Sequence, residues 1–381
     1  MITIVSHLAL GAASVLGQAA TSSPAAQPPQ QQTSKPSSLS SSEIRQLQAK
    51  AEAGDAGAQA TLGKAYRDGN GVHQDDALAL KWSRKAAEQG DAAAENDLGI
   101  MYRMGEGVER DKEEAVRWYH KSAKQGNARA MFNFGASYYN GDGVEADDVA
   151  SYAWFLLAQE AGNSAADEAL QRAASEEAAS QRGSVRIGAF KKVAEMYAAG
   201  DELAKNPVEE LKWYRKAADA GDTDSAVTVT KTLLAPGRNP TQEEYGEARQ
   251  RCKDAAEKHN PSGAYCMAMI YRRGIGVAKD PAESTRWLRQ AAELGLARAS
   301  IELGEAYWKG DGIKADPVAA YMWIWLAYNS KVPGAEQDEQ QLSKELSDKQ
   351  VQQAKQKASE WAKTHWFGGL RQRPPAIPPA K

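Results

Sequence analysis

Residues 90–124 read GDAAAENDLGIMYRMGEGVERDKEEAVRWYHKSAK, and the next copy of this stretch begins at Gly126, 36 residues after Gly90. A fixed period between about 20 and 50 residues is typical of repeat arrays, in which each unit buries its apolar face only against its neighbours. Numbering each copy from its leading residue as position zero brings a tyrosine to position 12 and a tryptophan to position 28 in six copies. The tyrosines are Tyr66, Tyr102, Tyr138, Tyr197, Tyr271 and Tyr307, and the tryptophans are Trp82, Trp118, Trp154, Trp213, Trp287 and Trp323.

The spacing within one copy predicts two helices joined by a tight turn. Leu98 and Tyr102 are four residues apart and lie on one face of a first helix, whereas Trp118 lies on the apolar stripe of a second helix. A Gly-x-Gly pair that begins at Gly105 ends the first helix in a left-handed cap, and Asp111 caps the second helix. We therefore predict an all-α protein, an α/α superhelical solenoid of about seven two-helix repeats with a C-terminal capping helix pair, and a buried ladder of tryptophans that stabilises it.

A glycine also recurs inside the first helix, where it costs about 1 kcal/mol relative to alanine. Its recurrence predicts that the second helix of each repeat approaches closely at this point. The glycines are Gly63, Gly99, Gly135 and Gly304.

The copies predict two arrays with different ends. Residues 43–182 form an N-terminal array of three repeats followed by a seam helix, and residues 183–365 form a C-terminal array of four repeats and a cap. The fifth copy lacks the tyrosine and the tryptophan, and it contains a strand-like alternation over residues 227–230 that we expect its neighbours to override. Residues 20–42, rich in Ser, Gln and Pro, and the tail 366–381 are predicted to be disordered.

The N-terminus resembles a secretory signal peptide over residues 1–19, with an apolar core from Leu8 to Leu16 and small residues before a cleavage site at Ala19. Its leading segment lacks the usual Lys or Arg. We expect a periplasmic or secreted protein; a cytoplasmic one follows if the leader is a disordered extension or the start is misassigned. The sequence contains no continuous stretch of roughly 18 apolar residues, so we predict no transmembrane segment after processing. The formal net charge of -3 indicates no general attraction to nucleic acid.

These residues resemble the Sel-1-like repeat family, which is related to the tetratricopeptide repeats. The pattern A-x-x-x-L-G-x-x-Y-x-x-G-x-G-V-x-x-D, followed by A-x-x-W-x-x-K-A-A, runs from Ala58 to Ala87 in the first copy, and the resemblance covers roughly residues 43–365. It implies an adaptor, because members typically hold partner proteins and are often exported or envelope-associated. Two alternatives stay open: an envelope enzyme or β-lactam-binding protein like the cysteine-rich relatives, and a glycan- or peptidoglycan-binding module.

No motif for catalysis or cofactor binding stands out. The Gly-x-Gly turns lack the third glycine of a dinucleotide site and the Gly-Lys-Ser/Thr of a phosphate loop, and the five histidines are not paired at metal-ligand spacing. We expect no catalytic residues, no metal and no cofactor.

Two cysteines fall in the fifth and sixth copies. Cys252 is predicted on the second helix of the fifth copy and Cys266 on the first helix of the sixth, so the turn at Asn260 can bring them together. In an oxidising compartment they pair, as in the cysteine-rich relatives, although their spacing differs from that of those relatives. Two buried thiols remain the alternative.

The concave face is the predicted binding surface. By analogy with tetratricopeptide arrays, first-helix residues at positions 3, 6, 10, 13 and 14 line the groove, and here they are rich in Arg and aromatic residues, which protein interfaces favour. We predict that the groove binds an extended acidic segment or chain terminus of a partner protein; an ordinary solvated face is the alternative. The predicted binding residues are Lys64, Arg67, Asn96, Arg103, Arg129, Phe132, Tyr139, Asn140, Tyr265, Met269, Arg272, Arg273, Arg298 and Trp308.

Overall fold

The computed structural model of the protein describes residues 38–180 and 184–364, and every regular element in those ranges is an α-helix. This confirms the predicted all-α repeat fold. The chain divides into two compact units between Ala189 and Phe190. The predicted signal peptide (1–19), most of the predicted linker (20–37) and the predicted tail (366–381) lie outside the described residues. No helix in the described part of the chain combines the length and apolarity needed to cross a bilayer.

The first unit holds three helix hairpins, with one helix before them and one after. The leading helix begins two residues before the predicted start at Glu43, because Ser40 and Glu43 form a capping box in which each side chain accepts from the other's backbone N–H. The predicted seam is a single helix. The helices are α1 Ser41–Glu52, α2 Ala56–Asp68, α3 Asp76–Glu88, α4 Ala92–Met104, α5 Lys112–Lys124, α6 Ala128–Asn140, α7 Asp148–Glu160 and α8 Ala165–Ser180.

The second unit holds four hairpins and a closing pair of helices. Its first hairpin pairs α9 with α10, and the ring of Phe190 on α9 packs 5.9 Å from the ring of Trp213 on α10. The helices are α9 Val185–Ala199, α10 Pro207–Asp219, α11 Thr223–Leu233, α12 Gln242–Glu257, α13 Pro261–Arg273, α14 Pro281–Glu293, α15 Ala297–Lys309, α16 Pro317–Asn329, α17 Ala335–Glu345 and α18 Asp348–Thr364.

Three glycine positions set the geometry of a repeat. A Cβ on Gly99, inside α4, would lie 2.6 Å from Cε1 of Tyr119, so only glycine lets α5 approach this closely, as predicted. Gly105 ends α4 in the left-handed conformation at φ 80°. Gly107, at φ 65°, lies against the first turn of the preceding second helix, where a Cβ would overlap the backbone oxygen of Asp76. The helix glycine therefore sets the hairpin, and the second turn glycine sets its stacking on the repeat before it.

The second helices begin at side-chain caps, as predicted. In the second repeat, Asp111 Oδ1 accepts from the backbone N–H of Glu114 at 2.9 Å, which satisfies one of the donors that a helix start leaves unpaired. The fifth repeat uses Thr241 and Glu244 as a capping box instead. The capping residues of the other second helices are Asp75, Asp147, Asn206, Asp280 and Asp316.

The tryptophan ladder is buried at five of its six positions, and Trp118 is the exception. Trp154 is 2% exposed, because the rings of Phe134 and His120 cover it at 5.0 and 6.4 Å. Trp118 packs instead against Leu98 and the small residues Ala86, Ala87 and Ala94, and it stays partly exposed. The expectation that Trp118 is buried is therefore corrected. The repeat tyrosines are all partly buried, and those of the first three repeats are Tyr66, Tyr102 and Tyr138.

Replacing Trp154 with alanine should cost about 3–5 kcal/mol of unfolding free energy, because it leaves a cavity in a closed aromatic cluster. Replacing Trp118 should cost about 1–2 kcal/mol, because water already reaches that ring. Urea unfolding followed by helix circular dichroism measures both changes. An equal loss in the two variants would contradict this account of the ladder.

The fifth hairpin forms although its sequence departs from the repeat. Residues 227–230 lie inside α11 rather than in a strand, since Val227 and Val229 are buried against neighbouring helices. The sulfur of Cys252 on α12 is bonded to that of Cys266 on α13 in the structure. The fifth repeat lacks the Gly-x-Gly turn that would stack it on the fourth, whereas Gly276 of the sixth repeat still lies against Tyr245 on α12. The cross-link therefore adds to an existing stacking contact between the fifth and sixth repeats.

Removing the cross-link should destabilise the second unit by about 3 kcal/mol, the loop-closure value for a loop of about 15 residues. The urea midpoint of the protein should fall on reduction, and it should fall equally in a Cys252→Ala/Cys266→Ala variant, which reduction then leaves unchanged. Alkylation under denaturing, non-reducing conditions is the direct check, and two modified thiols would contradict the pairing.

An arginine–glutamate cluster ties the fourth hairpin to the fifth. Arg215 on α10 donates from Nε and Nη2 to the two oxygens of Glu247 on α12, at 2.9 and 2.7 Å, and Arg251 Nε donates to Glu247 at 2.8 Å. The hydrogen bonds from Arg215 are the largest cause that lowers the pKa of Glu247 below its ordinary value of 4.5. The charged form of Glu247 is therefore favoured by the fold.

Acid should weaken this contact. A carboxylate with a lowered pKa in the fold stabilises it above the ordinary value of 4.5, and the contribution is lost as the pH falls through the lower folded value. Glu247→Gln should lower the urea midpoint at pH 7 and reduce its fall toward pH 3. Glu257→Gln on the same helix is the matched control, since Glu257 is exposed; the same pH profile in both variants would contradict the role of Glu247.

Candidate functional site

The first unit contains a cavity of about 170 Å³ between α6 and α8. Four of the predicted binding residues line it: Arg103 from α4, and Phe132, Tyr139 and Asn140 from α6. Residues of two successive first helices, α4 and α6, therefore line the same cavity.

The opposite wall comes from α8, which the sequence suggested only as a seam. Ala165, Ala169 and Ala173 line the cavity at four-residue spacing, with Glu168 and Arg172 beside them. Small residues at this spacing form one smooth stripe on a helix, and that stripe is the signal in the sequence that could have indicated a contact face.

The floor of the cavity is aromatic, and the helix glycines put it there. Tyr119 is 1% exposed and Phe155 is 5% exposed, and both rings lie against glycines of the first helices. A Cβ on Gly99 would lie 2.6 Å from the Tyr119 ring, and one on Gly135 would lie 2.9 Å from the Phe155 ring. Phe132 then packs on Phe155 with 5.3 Å between ring centroids. The residues that close each hairpin thus also give the cavity its apolar base.

Arg103 is the charged group that faces this floor. Its Nε donates to the hydroxyl of Tyr119 at 3.3 Å. Burial raises the pKa of Tyr119 to about 12, with Arg103 pulling in the opposite direction, so the phenol is neutral at physiological pH. The other charges on the lining are Arg172, Glu168 and Asp142, and Lys112 Nζ lies 2.6 Å from Asp142.

A ladder of ion pairs shows why Arg103 differs from its counterparts. An arginine near the end of one first helix faces a residue 30 positions later, on the first helix of the next repeat. Arg67 forms an ion pair with Asp97 at 2.9 Å, and Arg272 forms one with Glu302 at 2.7 Å. The corresponding partner of Arg103 is the neutral Asn133, which lines the same cavity and donates to Asn96 Oδ1 at 2.8 Å. Among the described residues, no carboxylate forms an ion pair with Arg103.

Three of the predicted groove residues of the second unit, Tyr265, Arg272 and Arg298, contact one carboxylate within the protein. Glu302, which is not among the predicted residues, accepts from the Tyr265 hydroxyl at 2.5 Å, and it forms ion pairs with Arg272 and Arg298 at 2.7 and 3.5 Å. Burial, followed by this hydrogen bond, raises the pKa of Tyr265 to about 12. Both guanidinium groups therefore already have a carboxylate partner. Met269 and Trp308 are partly buried and Arg273 is exposed.

The remaining predicted residues of the first unit lie away from the cavity lining. Asn96 is only 3% exposed, so its placement in the groove is corrected: its amide packs between α4 and α6. Lys64 pairs with Asp68 at 2.7 Å, and Arg129 is exposed at the start of α6. The structure therefore brings together four predicted residues at the cavity of the first unit and three, Tyr265, Arg272 and Arg298, around Glu302 in the second.

The repeats identify the class of protein. Six segments match the Sel1 repeat and cover more than half of the chain, so the chain belongs to the Sel1 repeat family. Repeats of this family generally mediate protein–protein interactions, and its members are typically non-catalytic scaffolds. The fifth hairpin, α11 with α12, lies between matched segments. The matched residues are 56–91, 92–127, 128–163, 191–222, 261–296 and 297–329.

Several proteins are similar to parts of this chain. A stretch of 126 residues is 31% identical to an uncharacterized protein of Neisseria meningitidis serogroup B, and it covers 33% of this chain and 25% of that protein. The crystal structure of c5321, a protective antigen present in uropathogenic Escherichia coli strains and displaying an SLR fold, is 30% identical over 85% of this chain and 72% of its own, with a TM-score of 0.43. A Sel1 repeat protein from Oxalobacter formigenes is 27% identical over 79% of this chain and 80% of its own, with a TM-score of 0.38.

Proposed function

We propose that this protein is an exported, non-catalytic scaffold that binds a segment of a partner protein on the inner helix face of its first unit. The observation that carries the proposal is the cavity between α6 and α8, where aromatic rings and the Arg103 guanidinium face the same space. Aromatic residues and arginine are the side chains that contribute most to protein interfaces. A partner chain bound there would use the repeats as a rigid support.

The side chains at the cavity favour binding over catalysis. Ser137 is the serine of the lining, and its hydroxyl donates to the backbone oxygen of Asn133 at 2.9 Å rather than to a base. A nucleophile needs a general base within hydrogen-bond reach, and no histidine belongs to the lining. Arg103 and Tyr119 are both groups that hold a ligand in place and do not need to react.

Two features support export. The leader over residues 1–19 has the apolar core and small-residue end of a signal peptide. The pairing of Cys252 with Cys266 suits an oxidising compartment, because disulfides persist there and are rare in the cytosol. We therefore place the scaffold in the periplasm or outside the cell.

Photo-crosslinking tests the proposal. A benzoylphenylalanine at position 139, in the cavity, should give a discrete crosslinked protein in cells of the source organism. The same probe at position 117, exposed on the second helix α5, is the control and should not give that species. No crosslink at either site, or the same species from both, would contradict binding on this face.

Protein purified from cells of the source organism tests export. Mass spectrometry of the mature N-terminus should find Ala20 as the first residue, since the predicted leader ends at Ala19. A chain that retains Met1 would contradict export and would leave the binding result unaffected.

A further inference from the structure

We infer that the cavity between α6 and α8 takes one apolar side chain, an aromatic ring or leucine, from a partner peptide that carries a carboxylate next to it, and that Arg103 pairs with that carboxylate. This rests on the proposed function and specifies the ligand of the same surface. Three properties of the cavity lead to it: its volume, its lining and the charge that its own repeat leaves unpaired.

The volume selects a single side chain. The cavity is open to solvent and has a volume of about 170 Å³. An apolar cavity of about 150 Å³ holds one benzene ring, whereas sites for drug-sized ligands usually enclose ~300–1,000 Å³. One side chain of a peptide therefore fills the space, and a whole cofactor does not.

The lining selects an apolar group and disfavours a sugar. Phe132, Phe155 and the alanine stripe of α8 offer carbon surface. Asn133, Ser137 and Asn140 also line the cavity, but each already donates to an acceptor within the protein. A sugar ring carries a hydroxyl on most of its carbons, and burying those groups without partners costs free energy. An aromatic ring or leucine meets no such cost, so the lining favours a hydrophobic residue of a protein partner.

The charge selects an acidic neighbour for that residue. In the ion-pair ladder, Arg67 is paired with Asp97 and Arg272 with Glu302. The residue at the corresponding position for Arg103 is the neutral Asn133, which lines the same cavity. A guanidinium group binds a carboxylate better than it binds a neutral amide, and it does so most strongly where water is partly excluded. A carboxylate on the ligand would give Arg103 the negatively charged partner that the neutral Asn133 does not provide.

The remaining charges around the cavity agree with an acidic ligand. Asp142 is paired with Lys112 at 2.6 Å, which reduces its repulsion of a second carboxylate. Glu168 and Arg172 on α8 are opposite in charge, so the lining together with Lys112 carries one more positive charge than negative. Glu106 lies outside the lining and interacts more strongly with Arg67 than with Arg103. Electrostatic complementarity of this kind selects partners more than it adds raw affinity.

The experiment uses the full-length mature protein and labelled heptapeptides of sequence Gly-Ser-Glu-X-Glu-Ser-Gly, with fluorescence anisotropy as the readout. Peptides with Phe or Leu at X should bind roughly tenfold or more tightly than the peptide with Ala, because a buried side chain of that size contributes more than a factor of ten. A peptide with Phe at X and Lys in place of both Glu residues should bind as weakly as the Ala peptide.

Two variants test separately the unpaired charge of Arg103 and the volume of the cavity. Asn133→Asp has nearly the same shape and supplies the carboxylate that the ladder lacks, so it should weaken the Phe peptide by about tenfold or more, as a lost charged hydrogen bond does. The Asn96 amide can rotate to donate to the new carboxylate. Ala169→Trp fills the cavity from α8 and should abolish binding, whereas Gln171→Trp, exposed on the same helix and outside the lining, should not. Thermal unfolding by circular dichroism confirms that each variant is folded.

Equal affinity for the Phe and Ala peptides, no binding by any peptide, or unchanged binding in Asn133→Asp would each overturn the inference. If the crosslink from position 139 persists in any of these cases, the scaffold proposal stands and only the ligand assignment fails. If an oligomer of three N-acetylglucosamine units binds and is displaced by none of the peptides, the site binds a glycan and the inference is wrong.

Discussion

The close approach of the two helices in each hairpin is the constraint on which the rest of the structure depends. It requires a residue without a side chain inside the first helix, and in the second repeat the ring of Tyr119 lies where a Cβ of Gly99 would be. The glycine weakens its own helix, but it admits a large ring that fills the hairpin interior. Helix stability is thus exchanged for packing between helices, and that packing is what an array of short helices needs.

This one contact also produces the surface that we assign to binding. The glycines at positions 99 and 135 let Tyr119 and Phe155 reach the inner side, where both rings become the floor of the cavity. At the corresponding positions elsewhere, an arginine of one repeat meets a carboxylate of the next, as Arg67 does with Asp97 and Arg272 with Glu302. The site that we propose for recognition is the place where that pairing is interrupted, at Arg103 and Asn133. Stability and selectivity come from the same repeat positions, occupied by different residues.

The sequence was sufficient for the repeat and insufficient for the site. Helix starts and ends follow from local chemistry, namely Asp111 as a cap and Gly105 as a stop, so the repeats could be predicted from one chain. The cavity depends on how α8, packed on α7, is placed relative to α6, and no local pattern fixes that. Glu302 escaped prediction because its pairing joins residues 30 positions apart, and the partial exposure of Trp118 depends on the size of neighbours from other helices. Contacts between elements, rather than within them, are what the sequence leaves open.

The wall formed by α8 has an evolutionary consequence. Substitutions in α2 to α7 must respect a period that also governs stacking, so a change there alters architecture along with affinity. The helix α8 lies outside that period, and its alanines at 165, 169 and 173 contribute to the cavity without holding a hairpin together. Descendants of such a gene can therefore acquire new ligand preferences by altering a single non-repeating helix, while the duplicated modules beside it stay unchanged.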